Sequence, residues 1–136
     1  MGVKYNEGGE RGMDFGIIFT VNDEVFGFVS MSKMLSKGDK AFMQSDFVIN
    51  STQKRLSKLV VMLMKSDEIR ILINREFKHW YKGIRTAVFT KNPVSIKYRG
   101  VLKRVKKEEG KLTYESDYNN LTIEENYKLW LKRLIV

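Results

Sequence analysis

Between residues 75 and 107 the chain threads aromatic side chains through a run of positive charge, a mixture suited to unpaired nucleic-acid strands. Eleven cations (Arg75, Lys78, Lys82, Arg85, Lys91, Lys97, Arg99, Lys103, Arg104, Lys106 and Lys107) meet one acid, Glu76. The whole chain carries a formal charge of +9, so everything outside this window is close to neutral. Charge this localised is an electrostatic footprint for a polyanion. Lysine and arginine hold phosphates by counterion release without reading sequence. Stacked aromatics add about 1–3 kcal/mol per unpaired base.

The expected interface is Arg75, Lys78, His79, Trp80, Tyr81, Lys82, Arg85, Lys97, Tyr98, Arg99, Lys103, Arg104, Lys106 and Lys107. Its expected partner is nucleic acid, with single-stranded DNA favoured over RNA or duplex. No helix-turn-helix, zinc-finger or RRM signature supplies duplex or sequence readout. Helical spacing of Phe77, Trp80 and Tyr81 suits burial in a core at least as well as stacking. Lysines on a strand such as 94–99 also serve simply to protect an edge. The collective charge, rather than any single residue, therefore carries the expectation of a non-enzymatic binding protein.

Catalytic patterns are sparse. His79 is the single histidine and cysteine is absent, so no zinc cluster can form without carboxylates. Asp67-Glu68 followed by Glu76-Phe77-Lys78 resembles the acid…Glu-x-Lys arrangement of the PD-(D/E)xK nucleases. That resemblance implies two carboxylates on one metal ion and a lysine near the attacking water. Here the tripeptide falls in an expected helix or turn rather than a strand, and no proline precedes the acid. Metal-dependent nuclease is thus the alternative rather than the leading reading. A small basic interaction or inhibitor protein is the other. Ser51-Thr52-Gln53-Lys54 and Ser30-Met31-Ser32-Lys33 fit Ser-x-x-Lys but lack its partner motifs. No glycine-rich phosphate loop is present, and no cofactor is implied.

Composition bounds the rest. A chain of 136 residues with 43% hydrophobic and 30% charged residues suits one globular domain. The longest apolar run, 59–64, stops at Lys65, so no membrane span is expected. Residues 1–12 are polar and glycine-rich; they read as a flexible tail rather than a secretory leader, ahead of a globular unit at 13–136. A cytoplasmic location, in a host cell if the source is viral, is the expectation. High charge and absent cysteine also suit a thermophile or one of its viruses, and a viral or prokaryotic origin is the expectation.

The elements follow from periodicity. Phe15, Ile17, Phe19 and Val21 alternate in a strand over 14–21, Asn22-Asp23 is a tight turn, and 25–30 returns with Phe26 and Phe28 on one face. Gly16 and Gly27 mark a bulge or a close approach. Residues 42–49 are strand-like. A central helix spans 50–65 with Leu56, Leu59, Val60 and Leu63 in one stripe, and Lys54, Arg55 and Lys58 in its first turns. Ile69, Ile71 and Ile73 predict a strand over 68–74, and a short helix follows over 75–81. Strands at 84–90 and 94–99, and a hairpin of 101–106 with 111–115, complete the sheet.

Thr122 and Glu125 form a capping box for a C-terminal helix striped by Ile123, Tyr127, Trp130, Leu131 and Leu134. That stripe packs on the sheet or, alternatively, forms a homodimer. Overall this is a single-domain α+β fold: an antiparallel sheet with hairpins, one central helix and one C-terminal helix.

Overall fold

Asn22 and Asp23 both take positive φ, 49° and 66°, making the two-residue turn that matches strand twist. This turn joins β2 (Phe15–Val21) to β3 (Glu24–Met31). The structure, a computed structural model, describes residues 2–6, 14–33, 41–49, 56–91 and 102–135. Phe15, Ile17 and Phe19 are buried, as their alternation requires. In β3 the register slips, so that Thr20 faces Val25 and Phe19 faces Gly27. Phe26 is the extra, bulged residue. The bulge buries Phe26 with Val29 and Met31 and leaves Phe28 half-buried, separating two phenylalanines whose spacing suggested a common face.

Seven strands form one sheet in the order β1-β2-β3-β4-β5-β7-β6. The remaining strands are β1 (Gly2–Asn6), β4 (Phe42–Ile49), β5 (Gly83–Phe89), β6 (Lys103–Glu108) and β7 (Lys111–Asp117). β1 lies in the segment expected as a tail and pairs antiparallel with β2, Gly2 opposite Thr20. Main-chain bonding at a sheet edge needs no long hydrophobic pattern. The β6/β7 hairpin forms as expected, turning through Gly110 at φ +76°.

Three helices are described: α1 (Ser57–Leu63), α2 (Asp67–Phe77) and α3 (Ile123–Ile135). Residues 50–55 of the expected central helix lie outside the described residues. Every residue from Leu59 to Leu63 is buried, so α1 is apolar all round. On one side Val60 meets β3, where a Cβ on Gly27 would lie 2.5 Å from Val60 Cγ2. On the other side α1 contacts α3.

α2 replaces the strand expected at 68–74. Its buried stripe is Ile69, Ile73 and Phe77 at four-residue spacing, while Ile71 is 53% exposed. The alternating isoleucines mimicked period two because Ile69 and Ile73 fit both periods. Asp67 and Glu68 in the first turn and Arg75 in the last suit the helix dipole. The helix ends at Lys78, which takes φ +51° and donates its N–H to Asn74 O.

The capping box of α3 is formed in both directions: Thr122 N–H donates to Glu125 Oε1 at 3.1 Å, and Glu125 N–H to Thr122 Oγ1 at 3.0 Å. Glu68 of α2 accepts from Ile123 N–H at 3.0 Å, and buried Asn126 donates to Ser66 Oγ at 2.7 Å. The start of α3 is thereby tied to the α1–α2 joint. Trp130 is buried, with Ile123, Tyr127 and Leu131 packed against the core.

The apolar residues of β2 to β5 and β7 face these helices. The other face carries half-buried Ile18 and Phe28, exposed Val48 and Phe89, and a polar group around Arg85. No described helix covers that face.

Candidate functional site

β4 and β5 form the one parallel pair among the described strands, and their pairing is brief. Phe42 faces Gly83, Met43 faces Ile84 and Gln44 faces Arg85. Past that point β4 continues to Ile49 paired with β3, and β5 continues to Phe89 paired with β7. Each strand follows its own antiparallel neighbour, and sheet twist carries the two halves apart. The ladder thus opens into a fork toward the C-terminal ends of both strands, where sheets with crossover connections receive ligands. An extended molecule bearing amide groups can lie in such a fork as an added strand.

At the apex Gln44, Arg85 and Glu115 stand in one cross-strand row. Arg85 Nη2 donates to Glu115 Oε2 at 2.7 Å, with side chains 23% and 15% exposed. The guanidinium lies 5.9 Å from the centre of the Phe42 ring. Asp46 and Val48 follow on β4, and Ala87 and Phe89 on β5, all on the helix-free face. Val48 is 60% and Phe89 72% exposed, so the fork has apolar lips. Asp46 is exposed and has no ion-pair partner among the described residues. Beside the apex the open face dips into two adjoining hollows that share Val105 and Glu115.

Tyr118 lines the hollow farther from the fork, and its hydroxyl is buried with no hydrogen-bond partner among the described residues. Burial pushes its pKa far above the usual tyrosine value, Arg70 opposing and Tyr81 adding to the effect. Tyr81 is also raised, first by burial and then by the negative charge of Asp14.

The expected basic interface is dispersed. Arg75 is exposed at the end of α2, 3.9 Å from Glu76, and Lys78 is exposed at the cap. His79 is half-buried, its ring 4.5 Å from that of Tyr81. Tyr81 packs into the core against Phe77, whereas Trp80 is 80% exposed. Lys82 is exposed, 3.9 Å from Asp117, and Arg85 is engaged by Glu115. On β6, Lys103 and Lys106 share the open face, opposite Glu115 and Thr113, while Arg104 and Lys107 oppose Tyr114 and Leu112 on the other. Lys97, Tyr98 and Arg99 lie outside the described residues.

The nuclease constellation does not assemble either. Asp67 pairs with Arg70 at 2.8 Å and Glu68 caps α3. Among the described residues no three acidic, histidine or cysteine side chains gather as metal ligands. Nothing in the sequence pattern singled out Gln44, Asp46 or Glu115. The available signal was the succession of a strand at 42–49, a helix and a strand at 84–90, which calls for a crossover and hence a parallel pair.

Residues 8–135 match the family described as the phage GNAT-like domain, and the chain belongs to it. No curated protein matches the chain. Solved structures share its fold at low identity. The N-acetyltransferase PseH of Campylobacter jejuni, in complex with acetyl coenzyme A, has a TM-score of 0.54 at 8% identity, over 77% of this chain and 68% of that one. The GNAT domain of S. lividans PAT gives 0.53 at 12% identity, over 76% and 60%. A cAMP-binding acyltransferase from Mycobacterium smegmatis gives 0.53 at 15%, over 87% and 38%.

Family membership overturns the expected nucleic-acid binder, together with its non-enzymatic role and single-stranded DNA partner. The physical reason is visible in the chain: cations adjacent in sequence sit on different surfaces, and one of them, Arg85, is consumed in an ion pair. The C-terminal helix, expected to pack on the sheet or alternatively to form a homodimer, packs its Ile123, Tyr127, Trp130 and Leu131 stripe on the core and contacts α1. No described helix is long and apolar enough to cross a membrane.

Proposed function

We propose that this member of the phage GNAT-like family is an acyltransferase that moves an acetyl group from acetyl-CoA to an amine. The observation that carries the reading is the forked parallel pair β4/β5 within an otherwise antiparallel sheet. Its diverging edges suit the amide-bearing arm of coenzyme A, taken up as an added strand. In sequence, Lys54 and Arg55 precede α1 and Lys58 lies exposed in it, which supplies positive charge beyond the end of β4 for the anionic part of the donor.

Acetyl-CoA supplies an acetyl group on a thiol leaving group. Asp46 takes the proton that converts an ammonium into the attacking amine; as the C–N bond forms and the C–S bond breaks, the second N–H proton ends on the departing sulfur. Asp46 suits this role because it stands exposed on the open side just past the apex, with no ion-pair partner among the described residues. Glu115, fixed by Arg85, instead positions the apex row. The site of action under this reading is the cytoplasm, of the host cell for a phage protein. Release of free thiol from acetyl-CoA in the presence of primary amines tests it. Amine-dependent release, reduced in Asp46→Asn with donor binding retained, is expected. Neither donor binding nor thiol release across peptide and small amines refutes it.

A further inference from the structure

The function above leaves the cations of β6 unexplained, yet Lys106 lines a hollow together with Gln44 and Arg85 of the fork apex. The two hollows on the open face share Val105 and Glu115, so they join into one trough along the β6/β7 hairpin. One end reaches the apex at Gln44 and Arg85; the other reaches Lys82 and Tyr118. β6 has six residues, which at ~3.3 Å each make the trough wall about 17–20 Å long. That length matches an extended peptide of five or six residues and exceeds what one small amine fills.

The charge of the trough is also defined. Arg85 is neutralised by Glu115 at 2.7 Å, Lys106 by Glu108 at 3.3 Å, and Lys82 sits 3.9 Å from Asp117. Lys103 and Lys111 line the trough without an ion pair among the described residues. At the far end the hollow is lined by Tyr118, Asn119 and the exposed Lys82. All three described helices pack on the opposite face, so none of them covers the trough.

We infer that the acceptor is an acidic polypeptide segment, laid along β6/β7 with its carboxylates at Lys103 and Lys111 and its reactive amine at the fork apex. The inference rests on the acyltransferase reading for its chemistry but not for its docking. Exposed charges at the rim steer and select a partner more than they add affinity, and their effect falls with salt.

The test measures binding of a labelled lysine-containing hexapeptide in acidic, neutral and basic versions, with donor-independent anisotropy at low salt. Acetylation of the same peptides is followed in parallel. The acidic peptide is expected to bind about tenfold more tightly than the neutral one, and Lys103→Glu/Lys111→Glu is expected to abolish that preference. Acetylation follows the same order, through KM rather than kcat. Both lysines are exposed, and unchanged circular dichroism and acetyl-CoA binding in the variant establish that its fold and fork are intact. Equal binding of the three peptides, or faster acetylation of free small amines than of any peptide, overturns the inference. Charge-selective peptide binding without acetyl-CoA binding supports the docking surface and counts against the acyltransferase reading alone.

Discussion

Replacing Gly27 by alanine tests how α1 is seated on the sheet, and therefore how the strand before it enters the fork. The new Cβ would lie 2.5 Å from Val60 Cγ2 and 3.3 Å from Cγ1. Valine has little rotamer freedom in a helix, so the contact cannot be relieved by a simple side-chain turn. Overpacking of this kind costs roughly 1–3 kcal/mol, offset by about 0.5–1 kcal/mol from removing a strand glycine. The expected net loss is about 1–2 kcal/mol. Val60→Ala deletes two methyl groups at a fully buried position and costs about 2–3 kcal/mol with its cavity. In the double variant the alanine methyl enters the space vacated by Val60, so the total falls short of the sum by about 1 kcal/mol or more. Urea unfolding followed by far-UV circular dichroism reads all four proteins. Additivity within about 0.5 kcal/mol would refute the close approach of β3 and α1.

Other substitutions probe separate parts of the structure. Thr122→Ala removes one arm of the α3 capping box and is expected to destabilise the protein by about 1 kcal/mol in the same urea assay. Trp80→Ala should change stability by less than about 0.5 kcal/mol, because the side chain is 80% exposed; a larger loss would mean it is buried. Tyr81 and Tyr118 have pKa values raised by burial, so the folded state keeps protons that the unfolded chain loses above about pH 10. Their contribution is therefore complete below that pH and declines as pH rises beyond it. Tyr118→Phe should make this alkaline decline shallower in pH-dependent unfolding. Asp46→Asn should lower kcat for acetyl transfer by about 10²-fold or more while leaving acetyl-CoA affinity unchanged, measured by thiol release and calorimetry.

Local structure was legible wherever short-range chemistry decides it. Asn22-Asp23 and the Thr122–Glu125 pair each announced a turn or cap that the structure contains. α2 was not legible because Ile69 and Ile73 satisfy both a strand and a helix period. Only the exposure of Ile71 decides between them, and exposure depends on what packs nearby. Gly27 was marked as a bulge or close approach; it is a close approach to Val60 and adjoins the bulge at Phe26. The site was hidden for a different reason. Gln44, Asp46 and Glu115 are ordinary polar residues whose relation arises only once β4 and β5 pair across two intervening helices. The basic window drew attention to the β6 hairpin through charge adjacent in sequence, but alternation sends Lys103 and Lys106 to one face and Arg104 and Lys107 to the other.

The most direct test of the fork as the donor site is a titration of isotopically labelled protein with acetyl-CoA, followed through backbone amide resonances. The largest perturbations are expected at 45–49 of β4 and 86–89 of β5, with the β1–β2 pairing little affected. Saturating acetyl-CoA that leaves the fork amides unmoved, or moves a distant cluster instead, would contradict the assignment.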